Sequence, residues 1–263
     1  MGGRGSIGSR LVTALRAAGH ECLAPDRGDA DTFRRDLGHV VYAIGVTADF
    51  RTRPYDAMRA HVSVLADVLE HSRFASLLYL SSARIYRLAG RSAEDSPLAV
   101  DPADPESLYD ASKIAGESLC LNHPNSAVRV ARLSNVLSAS EGPTFLSQLL
   151  QEARSKGEVL FRSALDSERD FVLLEDVLSL LPTIATSATK RIYNVASGIN
   201  ISNGKIATLL ESMIGCSVHV APGATVARFP VIDISRARRE FGFAPSPPEA
   251  MIRQLVSRAA PAR

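Results

Sequence analysis

The sequence predicts an α/β fold in which a doubly wound parallel sheet is covered by helices. Short apolar runs alternate with segments that carry apolar residues at helical spacing, which is the pattern of successive βαβ units. The runs at 39–45 and 76–80 are apolar without alternation, as expected of strands that are buried on both faces. These two observations favour a parallel sheet over an antiparallel one.

The elements follow in a regular order. A glycine-rich start leads into the first helix, which Gly19 ends. In chain order, strands are predicted at 21–25, 39–45, 76–80 and 128–133. Helices are predicted between them at 11–18, 54–71 and 108–121, and residues 89–105 suit a surface excursion.

Beyond residue 138 the pattern loosens into a helix at 145–156, short strands at 158–161 and 170–173, and a strand at 192–195. A chain of 263 residues can hold one α/β core with a small appended lobe. We therefore predict a main domain at 1–137 and a smaller lobe at 138–263, with residues 170–198 partly returning to the main fold.

Composition argues against several classes of function. The 30 basic and 28 acidic residues are mixed along the chain, so neither nucleic acid nor a membrane surface is expected as a partner. No run approaches the ~18 apolar residues of a membrane span, and no signal peptide is evident. Cys22, Cys120 and Cys216 are too widely spaced for a metal or disulfide motif. We expect a cytoplasmic protein without a metal site.

The segment 2–8 has the spacing G-x-x-G-x-x-G directly before a helix. Gly2, Gly5 and Gly8 would let backbone amides, including those of Ser6 and Ile7, approach a pyrophosphate at the helix N-terminus. A flexible glycine-rich terminus would also explain these residues.

Asp26 favours the first interpretation of that segment. It follows the next predicted strand, close to the ~20-residue offset at which a carboxylate holds a ribose hydroxyl. Its charge favours NAD over NADP, whereas the adjacent Arg27 could accept the 2′-phosphate of NADP. A surface turn at Asp26 is the alternative.

Tyr109 and Lys113 lie one turn apart on the helix predicted at 108–121, so they share a face. A nearby ammonium should lower the pKa of the phenol from about 10, as an acid or base working near neutral pH requires. Ser82 ends a predicted strand, where an α/β sheet places its ligands. Along the chain, the glycine loop is followed by the acid, the strand end at Ala43-Ile44-Gly45, Ser82, and then Tyr109 with Lys113. This order predicts that these residues form one site.

The chain resembles the extended short-chain dehydrogenase/reductase family, in its NAD-dependent epimerase/dehydratase branch. The segments that carry this resemblance are GGRGSIG at the start, VVYAIGVT at 40–47, LYLSSARIY at 78–86, LYDASKIAGE at 108–117, VRVARLSNV at 128–136, RDFVLLEDV at 169–177, IYNVASG at 192–198 and DISRARREFGFAP at 233–245. The resemblance therefore runs almost end to end and implies a Rossmann-type domain at 1–137 and a nucleotide-sugar-binding lobe at 138–263.

The resemblance also implies roles for individual residues. Tyr109 would be the acid/base, Ser82 a third catalytic group, and Lys113 would bind the nicotinamide ribose. The residues implied at the cofactor are Gly2, Gly5, Ser6, Ile7, Gly8, Asp26, Arg27, Ala43, Ile44, Gly45, Tyr109 and Lys113. Those implied at the nucleotide sugar are Ser82, Ala83, Arg84, Tyr109, Asn135 and Arg169. A homodimer is common in such proteins.

The sequence departs from the family at several places. The usual first strand ahead of the glycine loop is missing from this sequence, so a sheet edge is expected to lack its neighbour. His61 replaces an asparagine, and Arg87 replaces a glycine.

Three hypotheses for the function follow. An epimerase or reductase ranks first, and a dehydratase ranks lower because Ala83 and Arg84 follow Ser82 in place of an Asp-Glu pair. A non-catalytic dinucleotide-binding or scaffolding protein is the alternative from another class.

Overall fold

A computed structural model describes residues 1–26, 28–29, 32, 35–46, 50–138 and 144–259. Its helices are α1 Ser6–Ala17, α2 Pro54–Met58, α3 Val64–His71, α4 Ser107–Asn122, α5 Phe145–Lys156, α6 Leu174–Ser187, α7 Asn203–Ile214, α8 Ser235–Phe241 and α9 Pro248–Ala259. Its strands are β1 His39–Tyr42, β2 Ser76–Ser82, β3 Val128–Leu133, β4 Asn135–Leu137, β5 Glu158–Phe161, β6 Glu168–Leu173, β7 Ile192–Val195, β8 Asn200–Ser202 and β9 Ser217–Val220.

The main sheet is parallel, with the strand order β1-β2-β3-β7 within the described residues. Its two faces are buried by alternate residues of the same strands. On β2, Leu78 and Leu80 join the core beneath α1 and α6, whereas Leu77 and Tyr79 join the core beneath α3 and α4. The prediction of a doubly wound parallel sheet is confirmed, and the unbroken apolar pattern of the strands follows from burial on both faces.

The strand predicted at 21–25 is wrong, because residues 21–26 form no ladder in the structure. No strand of the described chain lies beside this segment to pair with its backbone. It is held instead by side-chain and loop contacts: Arg16 donates a hydrogen bond to the carbonyl of Cys22, and the loop at Gly3 packs against Ala24. Apolar residues alone therefore do not make a strand where the pairing partner is missing.

Met1 takes part in the sheet through backbone contacts with β1 and the residue after it. Its amino group donates to the carbonyl of Val41 at 2.8 Å, and the amide of Ala43 donates to the carbonyl of Met1 at 3.1 Å. This is the spacing of a parallel ladder. Along the rest of β1, the edge away from β2 has no paired strand among the described residues.

The rest of the chain builds smaller sheets around a second apolar core. β6 pairs with β4 in parallel and with β8 in antiparallel fashion, and β5 pairs with β9. The core between them is closed by α5, α7 and α9, whose apolar faces supply residues such as Leu149, Leu210 and Ile252. The division into a cofactor domain and a substrate lobe at residue 137 stays a prediction.

No helix among the described parts of the chain is long and apolar enough to cross a membrane. The three cysteines are unpaired.

Candidate active site

The carboxyl end of β2 and the N-terminal half of α4 form the candidate site. Ser82 is the last residue of β2, and Tyr109 and Lys113 lie on the buried face of α4, which packs against β2 and β3. The structure brings these three side chains together, as the sequence predicts. Their catalytic role stays a prediction at this point.

Tyr109 is a buried phenol that lies close to the Ser82 side chain. Burial raises the pKa of Tyr109 to about 12, whereas the nearby Ser82 side chain and the charge of Arg84 act in the opposite direction. The expectation that Lys113 lowers this pKa is wrong for this structure. The helical spacing correctly predicted that Tyr109 and Lys113 lie close together. Desolvation of the buried phenol, however, raises its pKa by more than the surrounding groups lower it. Tyr109 is therefore protonated at neutral pH.

Lys113 is buried with its ammonium directed at the end of β2. Nζ donates to the carbonyl of Leu80 at 2.9 Å and lies 6.0 Å from the centroid of the Tyr109 ring. Burial lowers the pKa of Lys113 to about 7, and the carboxylate of Glu117 acts against that fall. A lysine in this state exchanges its proton near neutral pH.

His61 is a member of the site that the sequence flagged only as an unusual substitution. It is fully buried on a π-helical turn, Arg59–Ser63, between α2 and α3. The amide of Val46 donates to Nε2 at 3.2 Å, so Nδ1 carries the proton and donates to Ser112 Oγ at 2.8 Å. The Ser112 hydroxyl donates in turn to the carbonyl of Tyr109 at 2.7 Å.

This chain of hydrogen bonds joins the loop after β1 to the helix that carries Tyr109. The His61 ring also meets the Tyr109 ring edge-on, with centroids 5.4 Å apart. Burial, followed by the charge of Lys113, lowers the pKa of His61 to about 3, so the imidazole stays neutral with a fixed tautomer.

Aromatic and charged side chains cover the other side of Tyr109. Phe50 lies 5.2 Å from its ring centroid, and the Arg84 guanidinium lies 5.9 Å away. Arg84 and Arg87 both bind the buried carboxylate of Asp110, at 3.0 and 3.2 Å. Arg87, the second unusual residue in the sequence, therefore holds Asp110 of α4 together with Arg84.

Ala83, between Ser82 and Arg84, is buried. It begins a short 3₁₀ turn that runs from Ala83 to Tyr86.

The glycine loop has the close backbone approaches that a dinucleotide site needs. A Cβ on Gly2, whose φ is +76°, would lie 2.7 Å from the carbonyl of Ala43, and one on Gly8 would lie 2.2 Å from the carbonyl of Gly2. α1 begins at Ser6, and no side chain of the described residues caps it. The first-turn amides, including that of Ile7, are thus left for an anion, so the loop fits the pyrophosphate of a dinucleotide.

Several other residues predicted at the cofactor lie close to this loop or to Lys113. Gly45 is next to Lys113, because a Cβ on this glycine would lie 3.7 Å from Lys113 Nζ. Ile44 packs on the core at the end of β1. Asp26 forms an ion pair with Arg4 of the glycine loop, and Arg27 lies outside the described residues.

Two of the residues predicted at the nucleotide sugar, Asn135 of β4 and Arg169 of β6, lie on neighbouring strands. Asn135 is exposed and donates to the carbonyl of Asp170 at 2.8 Å. Arg169 stacks on Phe145, with Cζ 4.2 Å from the ring centroid. Its Nε is buried without a partner in the described part of the chain, and burial, followed by the charge of Arg84, lowers its pKa. Arg169 therefore offers a donor to a ligand acceptor.

Among the described residues, no group of His, Cys, Asp and Glu side chains could hold a metal ion.

Comparison with known proteins identifies the family. The model of the "NAD dependent epimerase/dehydratase family" matches residues 1–196. The chain belongs to this family. The family match covers the glycine loop, Ser82, Tyr109 and Lys113, and it confirms the resemblance drawn from the sequence.

Individual family members show the same relationship. The chain is 28% identical over 197 residues to dTDP-glucose 4,6-dehydratase of Streptomyces griseus; the match covers 69% of this chain and 57% of the dehydratase, so it spans little more than half of that enzyme.

Two solved structures share the fold. MoeE5 in complex with UDP-glucuronic acid and NAD is 20% identical, with a TM-score of 0.80 and 98% of each chain covered. UDP-glucuronic acid 4-epimerase from Bacillus cereus, in complex with UDP-glucuronic acid and NAD, is 17% identical, with a TM-score of 0.78 and 98% of this chain and 97% of the epimerase covered.

Proposed function

We propose that this family member is an NAD-dependent enzyme that epimerises or reduces a nucleotide sugar, with Ser82, Tyr109 and Lys113 as its catalytic set. The observation that carries the proposal is the meeting of the Ser82 and Tyr109 side chains at the carboxyl end of β2, beside the buried Lys113. Two hydroxyls in this arrangement can hold a substrate oxygen and move a proton to or from it.

Tyr109 is the proton carrier of the proposal. With a pKa of about 12 its phenol is protonated at neutral pH, so it is ready to donate to a sugar oxygen that gains negative charge. When Tyr109 instead takes a proton from a sugar hydroxyl, the phenolate must exist first. The Ser82 side chain and the charge of Arg84 both favour that form, because each lowers the pKa of Tyr109.

The glycine loop and the buried face of α4 are proposed to hold the cofactor. The amides at the start of α1 would bind the pyrophosphate, Asp26 the adenosine ribose, and Lys113 the nicotinamide ribose, with Ala43–Gly45 beneath. When bound, NAD supplies the hydride chemistry that amino-acid side chains lack. The proposed preference is NAD over NADP, because the carboxylate of Asp26 repels a 2′-phosphate.

Arg169 and Asn135 are proposed to hold the nucleotide part of the substrate. Arg169 supports this with its buried Nε, which has no hydrogen-bond partner within the described chain. Guanidinium groups bind phosphate oxygens well. Ala83 and Arg84, which follow Ser82, are proposed to line the sugar.

A dehydratase is the less favoured reaction. One curated relative is named a 4,6-dehydratase, yet Ser82 is followed here by Ala83 and Arg84, not by an Asp-Glu pair. Arg84 is already held by Asp110 at 3.0 Å and by Glu106 at 2.8 Å. A guanidinium held by two acids cannot act as the base that a carboxylate provides.

A homodimer in the cytoplasm stays part of the proposal. Tyr55, Met58 and Leu119 are exposed apolar side chains on α2 and α4, which pack against each other. An apolar surface of this kind suits a second copy of the chain. A non-catalytic binding protein remains the alternative, but it would have no chemical need for the Ser82-Tyr109-Lys113 arrangement.

The proposal is tested with a panel of nucleotide sugars. Each sugar is incubated with the protein and NAD, NADH, NADP or NADPH, and the products are analysed by chromatography. An epimerase yields an isomer without net change in the cofactor, whereas a reductase consumes reduced cofactor in proportion to product. Water loss from the sugar would identify a dehydratase. Cofactor binding without any conversion across the panel would favour the non-catalytic alternative.

A further inference from the structure

Lys113 is poorly placed to be the cation that faces the Tyr109 phenol. Its ammonium donates to the carbonyl of Leu80 at 2.9 Å, and it lies closer to the ring centroid of Tyr79, at 4.9 Å, than to that of Tyr109, at 6.0 Å. Burial also lowers the pKa of Lys113 to about 7. Its charge is therefore lost at a lower pH than that at which the Tyr109 phenol, with a pKa of about 12, ionises.

Arg84 faces the same phenol from the short turn after β2. Its Cζ lies 5.9 Å from the ring centroid of Tyr109 and 5.3 Å from that of Phe50. The Arg84 side chain is only 24% exposed, so solvent screens its charge less than that of a surface arginine. A guanidinium also keeps its charge over the whole pH range in which a phenol ionises.

Two acids fix this guanidinium in place. Nε donates to Asp110 Oδ1 at 3.0 Å, and Nη2 donates to Glu106, at 2.8 Å to Oε2 and at 3.0 Å to the backbone carbonyl. Arg87 holds the same Asp110 carboxylate at 3.2 Å and also binds Asp104 at 2.7 Å. The position of Arg84 beside the Tyr109 ring is thus set by side chains on both sides of the start of α4.

Among the described residues, charged and titratable groups face Tyr109 from the turn after β2, from α4 and from the π-helical turn; they are Arg84, Asp110, Lys113 and His61. His61 is neutral, because burial lowers its pKa to about 3. The carboxylate of Asp110 acts against ionisation of the phenol. Of these groups, only Arg84 brings a positive charge that persists when Tyr109 ionises.

We propose that Arg84 is the positioning residue that stabilises the phenolate of Tyr109, while Lys113 holds the end of β2. The inference rests on the proposed function, in which Tyr109 takes a proton from a sugar hydroxyl. It assigns the cation for this step to the turn after β2 and not to the helix that carries the tyrosine. Loss of the guanidinium should therefore move the ionisation of Tyr109 to higher pH.

Fluorine NMR on the full chain labelled with fluorotyrosine tests the proposal, because the fluorine shift follows the ionisation of each phenol. The chain has six tyrosines, and the signal of Tyr109 is the one that is missing from Tyr109→Phe. Fluorination makes the phenol more acidic, which brings its titration toward the pH range in which the protein is folded. Tyr55, which is 77% exposed, is the internal control and should titrate alike in every variant.

Arg84→Gln should raise the titration midpoint of Tyr109 by about 0.5–2 pH units. This is the range that Coulomb's law gives for a unit charge at about 6 Å in an effective dielectric constant of about 20–80. Arg84→Lys keeps the charge and should restore most of the wild-type midpoint. Arg87→Gln, the matched control, loosens the same Asp110 carboxylate and should shift the midpoint less than Arg84→Gln does. Lys113→Met should also shift it less.

The pH profile of kcat for sugar oxidation gives a second readout. Activity falls on the acidic side as Tyr109 takes up its proton, and this limb should move to higher pH in Arg84→Gln and return toward wild type in Arg84→Lys.

An unchanged midpoint in Arg84→Gln, an equal shift in Arg87→Gln, or a larger shift in Lys113→Met would overturn the assignment of Arg84. If Arg84→Gln does not fold, the same shift is measured between Asp110→Asn and the double variant Asp110→Asn/Arg84→Gln, and its absence has the same meaning. A chain that shows the expected midpoints but converts no nucleotide sugar would overturn the proposed function and leave the electrostatic role of Arg84 in place.

Discussion

Replacement of Lys113 by methionine should stabilise the fold while it damages the site. Lys113 is 5% exposed, and burial lowers its pKa from 10.5 to about 7. Each pKa unit corresponds to about 1.4 kcal/mol, so the charged form of this lysine costs about 4–5 kcal/mol in the folded state. Methionine of similar length removes that cost, but it leaves the carbonyl of Leu80 without its 2.9 Å hydrogen bond.

The sign of the pH dependence follows from the lowered pKa. Between pH 7 and 10.5 the unfolded chain holds a proton on Lys113 that the folded protein has released, so wild-type stability rises with pH in that window. The methionine variant lacks this dependence. Its advantage in the free energy of unfolding should therefore be close to its full value at pH 7 and shrink by about 3.5 kcal/mol by pH 10. The lost hydrogen bond lowers the stability of the variant equally at both pH values and does not affect this difference.

Urea denaturation of wild type and Lys113→Met at pH 7 and pH 10 measures the effect. Lys156→Met, at an exposed position near the end of α5, is the matched control and should show no comparable change. An advantage of Lys113→Met that stays constant between the two pH values would refute the reasoning. In parallel, calorimetry should show weaker NAD binding in the variant, because a proposed donor to the nicotinamide ribose is gone.

Further outcomes concern the core, the glycine loop and the histidine. Glu117→Ala should cost about 3–5 kcal/mol in urea denaturation, because it leaves the buried guanidinium of Arg132 without the carboxylate that it contacts at 2.6 Å; a loss below 1 kcal/mol would contradict this. Gly8→Ala should weaken NAD binding measured by calorimetry while the protein stays folded, since the added Cβ would lie 2.2 Å from the carbonyl of Gly2; unchanged affinity would contradict the proposed pyrophosphate site. His61→Ala should lower kcat by up to about a hundredfold by misplacing Tyr109, whereas His61→Asn should lose less; equal losses, or a change in KM alone, would contradict a positioning role.

The main sheet could be predicted because the local sequence of each strand indicates that the strand is buried. β2 and β3 are apolar or buried at nearly every position. This pattern is typical of a strand that is covered on both faces of the sheet. The segment at 21–25 has a similar apolar character but forms no strand, because pairing depends on a neighbour elsewhere in the chain. Local sequence does not report that neighbour.

The proximity of Ser82, Tyr109 and Lys113 could be predicted from the sequence, whereas their electrostatics could not. The spacing of Tyr109 and Lys113 correctly placed them on one helix face, but it does not report burial, which raises the pKa of the phenol. The clamp on Asp110 joins Arg84 and Arg87 across more than 20 residues of sequence. In the sequence, Arg84 and Arg87 were both visible as departures from the family, but nothing there linked either of them to Asp110.

The role of His61 could also be predicted only in part from the sequence. Its replacement of an asparagine was visible, but its bond to Ser112 spans 51 residues and becomes apparent only in the fold.

The measurement that tests the central claim most directly compares wild type with Tyr109→Phe on whichever nucleotide sugar is converted. Phenylalanine keeps the ring that packs against Phe50 and His61, and it removes the hydroxyl that meets Ser82. The account predicts a folded variant that binds NAD nearly as wild type does and loses about a hundredfold or more in kcat, the range of general acid–base catalysis. Undiminished kcat in Tyr109→Phe, with NAD binding intact, would remove Tyr109 from the mechanism and contradict the proposed catalytic set.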